Sequence, residues 1–556
     1  MSESLDRFFD HYYRRRPVNA TFTGVHTYDE ILPDWSPMGI SAMDDEMRAL
    51  ATDLSDAHPV PASVRGYRDD ANVLDAELAR GFLEIQLAEN ASRHGMRGNP
   101  SLWIGEAVFS IIALMIRDFA PVDERIITAT RRLEALPAFL AAAYDTFADA
   151  PVPVEWTAKA LRECDGAAIL LDRGIDVWVD SATGAPTRDA LCRIAAARAK
   201  VAVLQFAEWL RTRPDAPEEA MACGPELYDI LLARGHHCTR ARADLLADAR
   251  EGFARARSRL DVLALDVAES WRAVQERLAA DHPAPDDYIL AFARTWKLCR
   301  DRATSENVVT WPDWPIQYVT LPAWTRDAAP YLYYLNYRSP APFDPYAMHD
   351  YVVPPVPAAL AAAELHLRAW NRSAIKLNHV VHHGAIGHHI QNWHAYHQAT
   401  SRVGKIAAVD CASRIGMFCG GTMAEGWACY ATGLMEEIGF LSPLERVAEQ
   451  HSRVRFLARA IVDIELHQGT MSFSDAVRFY VEQVGMSADA AKGEAVKNSM
   501  FPCTALMYWL GTQSILDLRE TLRRRRRSSW SLKGFHDELL GYGSLPVPLV
   551  AQMMSL

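Results

Sequence analysis

Residues 378–397 read NHVVHHGAIGHHIQNWHAYH, and the rest of the chain is read outward from them. Seven of the nineteen histidines fall here: His379, His382, His383, His388, His389, His394 and His397. An even spread would place about one in a window of this size. Imidazole is the commonest protein ligand for zinc and similar cations, and it titrates nearest neutral pH. Packing alone gives no reason to crowd so many together, so the stretch is the candidate active centre. On a regular helix His379 shares a face with His382 and His383. His382 and the pair His388/His389 would lie roughly 10 Å apart along an unbroken axis. That is too far for nitrogens that each sit about 2.0–2.1 Å from one zinc ion. Gly384 and Gly387 stand between them, and glycine is what a broken turn uses. Spacing leaves both arrangements open.

A further ligand should come from elsewhere in the chain. GGTMAEGWACYATGLMEEIGF, from Gly420, offers Glu425 near the start of a helix after a Gly-Gly pair. Thr422-Met-Ala-Glu425 is also a capping-box pattern, which would give Glu425 a backbone N–H to satisfy instead.

The 556 residues are 50% apolar and 23% charged, enough for a large core and unlike a disordered or fibrous chain. A net charge of −12 with no broad basic surface argues against nucleic acid as a partner. The arginine runs 523–527 and 14–16 read as solvated helix ends or loops. Cys164, Cys192, Cys223, Cys238, Cys299, Cys411, Cys419, Cys429 and Cys503 are odd in number, scattered and without a CxxC pair. They indicate neither a disulfide framework nor a zinc knuckle. The N-terminus has no apolar core of a signal peptide, and no run of 18 apolar residues occurs. The expectation is a cytoplasmic protein with no membrane partner; nothing in the sequence addresses its oligomeric state.

Helical periodicity dominates. Leu5, Phe8, Phe9 and Tyr12 form one apolar stripe in residues 2–15. Long helices are expected over 69–92, 101–118, 123–148, 187–212 and 238–280, which are rich in strong helix formers. The section punctuated by Pro33, Pro37, Pro59 and Pro61 reads as turns. Residues 308–355, dense in Pro, Tyr and Trp, suit a short strand pair (318–320 and 331–335) or an irregular aromatic wall. Helices resume at Ala358 and run to Leu522. The expected fold class is mostly α: one large helical domain over 1–556, in one body or in two lobes at about 1–300 and 301–556 with a cleft between them.

HHGAIGHHIQ (382–391), followed by AEGWACYATGLMEEIGF, resembles the DUF885 family, a bacterial group of uncharacterised function. Its usual motif is HE-x-x-PGHH-x-Q ahead of an EGWA-x-Y helix. Residues 17–36, 224–237, 459–477 and 494–511 and the closing FHDELLGYGSLPVPLV are similar to family segments, in order. The resemblance implies an all-helical, gluzincin-like (zinc metallopeptidase-type) fold with a metal in a central cleft. It places His382 on the first motif histidine, His388 and His389 on the later pair, and Glu425 on the EGWA glutamate. The choice between His388 and His389 stays open. The implied cofactor is a divalent ion, zinc first, with iron or manganese as alternatives. This sequence also departs from the pattern. The motif glutamate, the family's general base, is His383, and the motif proline is Ile386. An Arg-Tyr pair is Lys497-Asn498, and a Gly-Gln pair is Cys503-Thr504. A hydrolytic zinc site needs a base with a pKa near the working pH. His383 either fills that role with altered geometry or adds a ligand.

On the same pattern, His467 and Tyr508 are candidates for stabilising an oxyanion or protonating a leaving group. Asp463, four residues before His467, could orient its ring. Arg459 is a candidate anchor for a substrate carboxylate, or a structural ion-pair partner. Tyr333, Tyr334 and Trp393 are candidates for pocket lining or for core. The leading functional expectation is a metal-dependent hydrolase of an amide, a peptide or a related small acyl compound. The alternatives are a lyase, isomerase or non-haem iron oxygenase acting on a small metabolite, and a non-catalytic binding descendant that lost its base.

Overall fold

Leu5, Phe8, Phe9 and Tyr12 are all buried along one face of the helix Glu3–Arg15, as their spacing requires. The computed structural model describes residues 2–182, 185–332, 339–345, 348–409 and 416–556, and helices carry most of it. Helices Ala71–Ala91, Pro100–Met115, Val122–Phe147 and Pro186–Arg211 match the expected segments within a few residues. One cluster of buried apolar side chains runs from Leu5 to Met554, so both ends of the chain feed the same core.

Three expectations are corrected. The proline-punctuated section contains a 21-residue helix, Pro37–Ala57. Pro37 opens that helix, where its missing N–H is not needed, and the Ser36 hydroxyl accepts from the Gly39 N–H at 3.0 Å. The long helix expected over 238–280 is two helices, Arg242–Leu265 and Trp271–Ala280, the second capped by Ser270. The strand at Ile316–Thr320 exists, but its partner is His349–Val353, paired in parallel. Parallel pairing needs a long crossover, which an adjacent aromatic run cannot provide. Tyr331 and Leu332 lie in a turn, whereas 333–335 lie outside the described residues.

The site depends on a break in one helix. From Ile375 to Gly384 the backbone winds in wide π-helical turns, which close i→i+5 bonds instead of i→i+4. Helical winding stops at Ala385 and restarts as His388–Gln398. A buried break leaves carbonyls that need donors. Two tryptophans supply them: Trp296 Nε1–H donates to the Gly384 carbonyl and Trp427 Nε1–H to that of Ile386, each at 2.8 Å. The Gly387 N–H turns back to the Val381 carbonyl at 2.9 Å. A Cβ on Gly387 would sit 1.9 Å from the His382 carbonyl oxygen, so no larger residue fits this turn. The facing helix, Gly421–Glu437, is set with similar closeness. A Cβ on Gly426 would come within 2.6 Å of the Gly511 backbone in helix Met507–Arg526.

Gly387→Ala is therefore expected to lower stability by about 3 kcal/mol or more. Gly105→Ala, where an added Cβ meets nothing within 4 Å, should be neutral or slightly stabilising. Thermal melts of the two variants check this, and equal melts would contradict the tight turn.

Candidate metal centre

Breaking the helix brings together side chains that an unbroken one would keep apart. His382 and His383 end the wide turns and His388 begins the next helix; one ligand nitrogen of each lies within 4.8 Å of the others. The His382 and His388 rings stand perpendicular with centroids 4.8 Å apart. Glu425 reaches in from the facing helix, its Oε2 3.3 Å from His382 Nε2 and 3.7 Å from His388 Nε2. That oxygen is buried and lacks an aligned hydrogen-bond donor among the described residues. His383 Nδ1 lies 2.6 Å from the Asn378 carbonyl, so it carries the hydrogen and leaves the lone pair on Nε2.

The electrostatics suit a cation. Burial pushes the Glu425 carboxyl up, but contact with His382 and the nearby His388 and His383 imidazoles outweigh it, holding it well below the usual carboxylate range. Burial brings His388 down to about 4, against the pull of Glu425. Burial, then His382 and His388, hold His383 well below the ordinary histidine value. The site thus sets His383 and His388, which burial keeps uncharged, beside a buried carboxylate held ionised, and a cation would stabilise that arrangement. Three nitrogens and one oxygen are a donor set that divalent zinc, iron or manganese accepts.

Other candidates lie elsewhere. His379 stacks on Trp370 at 4.2 Å, and its Nδ1 is 2.7 Å from the Tyr351 hydroxyl, so the His379/His383 arrangement is not the one formed. His389 stacks on Trp314 at 4.6 Å with its Nε2 2.9 Å from the Trp314 carbonyl; of the pair, His388 faces the cluster. His394 is buried between the Gln398 side chain and the Thr310 carbonyl, and His397 is exposed. The capping box is absent: the Thr422 hydroxyl accepts from the Val547 N–H at 3.1 Å.

A cavity of about 690 Å³ opens onto the cluster. Tyr508 lines it, stacked on Phe456 with ring centroids 5.3 Å apart. His467 does not line it. This ring is fully buried, with Nε2 2.9 Å from the Asn498 carbonyl and Nδ1 accepting from the Cys223 N–H at 3.2 Å. Asp463 accepts from the N–H groups of Cys503 and Leu506 at 3.0 and 2.8 Å. It thereby holds the turn in which Cys503 adopts a φ of 63°, instead of orienting His467, whose Nε2 is 3.7 Å away. Arg459 lines the cavity, but its Nε and Nη2 donate to the two Glu494 oxygens at 2.7 and 2.8 Å; the ion-pair role is the one realised. Trp393 stacks on His397, outside the cavity lining. Tyr333 and Tyr334 lie outside the described residues.

Among the cavity residues that sequence reasoning missed are Arg455 and Glu106. Arg455 stands one turn before Arg459, and that spacing was a readable signal. Burial pushes the Glu106 carboxyl up to about 7, opposed by Arg132 and Arg16. No local pattern marks Glu106, because its surroundings come from distant helices.

Fold and site together define a mostly α-helical protein with a His-His-His-Glu cluster beside a cavity. The chain belongs to the DUF885 family, described as bacterial protein of unknown function, whose profile matches residues 17–554. No curated protein matches it. A solved structure from Shewanella oneidensis, provisionally described as a lipoprotein of unknown function, is similar with a TM-score of 0.77 at 19% identity, covering 99% of each chain. Another from Colwellia psychrerythraea, also provisionally described as a lipoprotein, has a TM-score of 0.75 at 15% identity, covering 99% of this chain and 98% of its own. The expectation of a cytoplasmic protein is corrected on this finding: full-length neighbours in fold are described as lipoproteins, and that assignment is not kept. Among the described residues no helix is long and apolar enough to cross a membrane.

The Arg459–Glu494 pair gives a pH-dependent expectation. Burial raises the Glu494 carboxyl, but Arg459 pulls it down to about 2. A depressed folded-state pKa contributes stability above the unfolded value, and that contribution is lost as pH falls toward the folded one. Glu494→Gln should cost about 3–5 kcal/mol at neutral pH, the usual result of stranding a buried charge. In urea unfolding the gap from wild type should narrow as pH falls through the acid range toward about 2.

Proposed function

We propose that this chain is a metal-dependent hydrolase of an amide, a peptide or a related small acyl compound, gluzincin-like in its central cleft. The observation that carries the reading is the buried Glu425 oxygen, without an aligned donor among the described residues, beside three converging imidazoles. His382, His388 and Glu425 would hold the ion. A bound zinc ion would supply Lewis acidity toward an acyl oxygen.

His383 stands where the resemblance puts a glutamate base. Its Nδ1–H is spent on the Asn378 carbonyl, the outer-shell arrangement that metal-ligating imidazoles use to fix tautomer and orientation. That supports His383 as a fourth ligand in place of a proton acceptor. Tyr508, on the cavity wall, is the group proposed to donate a hydrogen bond to developing charge or to a leaving group. The same His383 favours a second reading, a non-hydrolytic metalloenzyme holding iron or manganese, because three imidazoles and one carboxylate suit those ions as well.

The purified protein is expected to carry about one divalent ion per chain, by elemental analysis. His388→Ala and Glu425→Ala should weaken its retention by roughly tenfold or more, while His389→Ala leaves it unchanged. Chelation and His382→Ala should abolish turnover on an amide and peptide panel. Wild-type metal content in Glu425→Ala would sink the centre itself. Stoichiometric iron without zinc, and no amide or ester cleavage, would move the assignment to the second reading.

A further inference from the structure

Two guanidiniums stand one turn apart on the helix Pro443–His467 and line the cavity, but their circumstances differ. Arg459 is neutralised by the two-pronged contact with Glu494 and lies over the Tyr508 ring at 4.8 Å. Arg455 makes no hydrogen bond or ion pair among the described residues, and its Nε is buried without a partner. Its guanidinium carbon sits 5.6 Å from the centroid of the Phe456 ring, which leaves the hydrogen-bonding fork unused. A guanidinium stays charged under all ordinary conditions, and burying that charge without a hydrogen-bonded anion is unfavourable; Glu494 attracts Arg455 but gives both oxygens to Arg459. The neighbouring Glu449 does not answer it, being engaged by Thr432 and Arg453.

Arg455 lines the same cavity as His382, His383, His388 and Glu425. The cationic wall and the proposed ligands are thus neighbours on one cavity.

We propose that Arg455 is the anchor for a substrate carboxylate, and that the metal centre acts on amides or acyl compounds bearing a free acid group. The planar fork of arginine pairs bidentately with a carboxylate, and Arg459 already occupies both Glu494 oxygens, which leaves the Arg455 fork for an incoming anion. The Phe456–Tyr508 stack forms the adjoining apolar surface. The proposal rests on the hydrolase reading for the identity of the substrate, but its test is equilibrium binding and does not need turnover.

Calorimetry with hippurate, its neutral analogue hippuramide, and phenyl phosphate, on the full chain as purified and after chelation, provides that test. Hippurate is expected to bind about tenfold or more tightly than hippuramide, in keeping with a charge-assisted hydrogen-bonded pair, and to keep that margin in the metal-free protein. Arg455→Gln should erase the margin and Arg455→Lys should keep part of it, with melting temperatures confirming that both fold. Equal binding of acid and amide, no binding of hippurate, or an undiminished margin in Arg455→Gln overturns the proposal. Tighter binding of phenyl phosphate than of hippurate overturns the carboxylate assignment. Acid binding that survives while the amide panel stays uncleaved separates the fate of this site from that of the hydrolase reading.

Discussion

Two indole N–H groups hold open the turn on which the site depends. Without Trp296 on the Gly384 carbonyl and Trp427 on the Ile386 carbonyl, the break between the wide turns and the next helix would strand buried acceptors. With them, helical winding can stop and restart within a few residues and set His388 against His382. Trp427 also belongs to the helix that delivers Glu425, so one element supplies both a ligand candidate and a donor that fixes the opposing turn. Gly426, between those two residues, permits the close crossing with Gly511. The EGWA segment therefore has a separate physical task for each of its first three residues.

The histidines of this protein divide by how their nitrogens are satisfied. His389, His394, His467, His236 and His536 each meet a backbone carbonyl from a distant segment, and they act as buried cross-links between elements. His382, His383 and His388 instead turn toward one another and toward Glu425. Burial disfavours charge on His383 and His388, and the His388 ring lies beside the Glu425 carboxylate. This contrast separates a ligand set from a group of structural histidines, and counting histidines cannot.

The cavity is walled by parts of the chain far apart in sequence. Arg16 and Glu106 come from the N-terminal helices, the imidazoles from the middle, and Arg455 and Tyr508 from the C-terminal third. Such a wall takes its character from burial and from which charges are already paired. Arg459 and Arg455 differ in that respect: both feel the charge of Glu494, but of the two only Arg459 hydrogen-bonds it. At 15–19% identity the two solved neighbours keep the same backbone arrangement, so the architecture tolerates wide change in side chains.

Much of this was legible in the sequence. Apolar spacing determined the helices, because burying one stripe is the only way such segments lose their apolar surface to water. The crowding of histidine determined where to look, and the two glycines marked the break. Proline at 37 was misread, since a residue that ends helices also begins them, and which applies depends on the cap before it. Tertiary structure alone decided that His388 faces the cluster while His389 meets Trp314, that His379 is drawn off by Trp370, and that Asp463 serves the Cys503 turn. It alone decided that Arg455 is left without a hydrogen-bonded anion among the described residues. Local sequence governs backbone conformation over a few residues, but the partner of a polar atom is set by what distant helices bring within about 3 Å of it, and no local pattern encodes that distance.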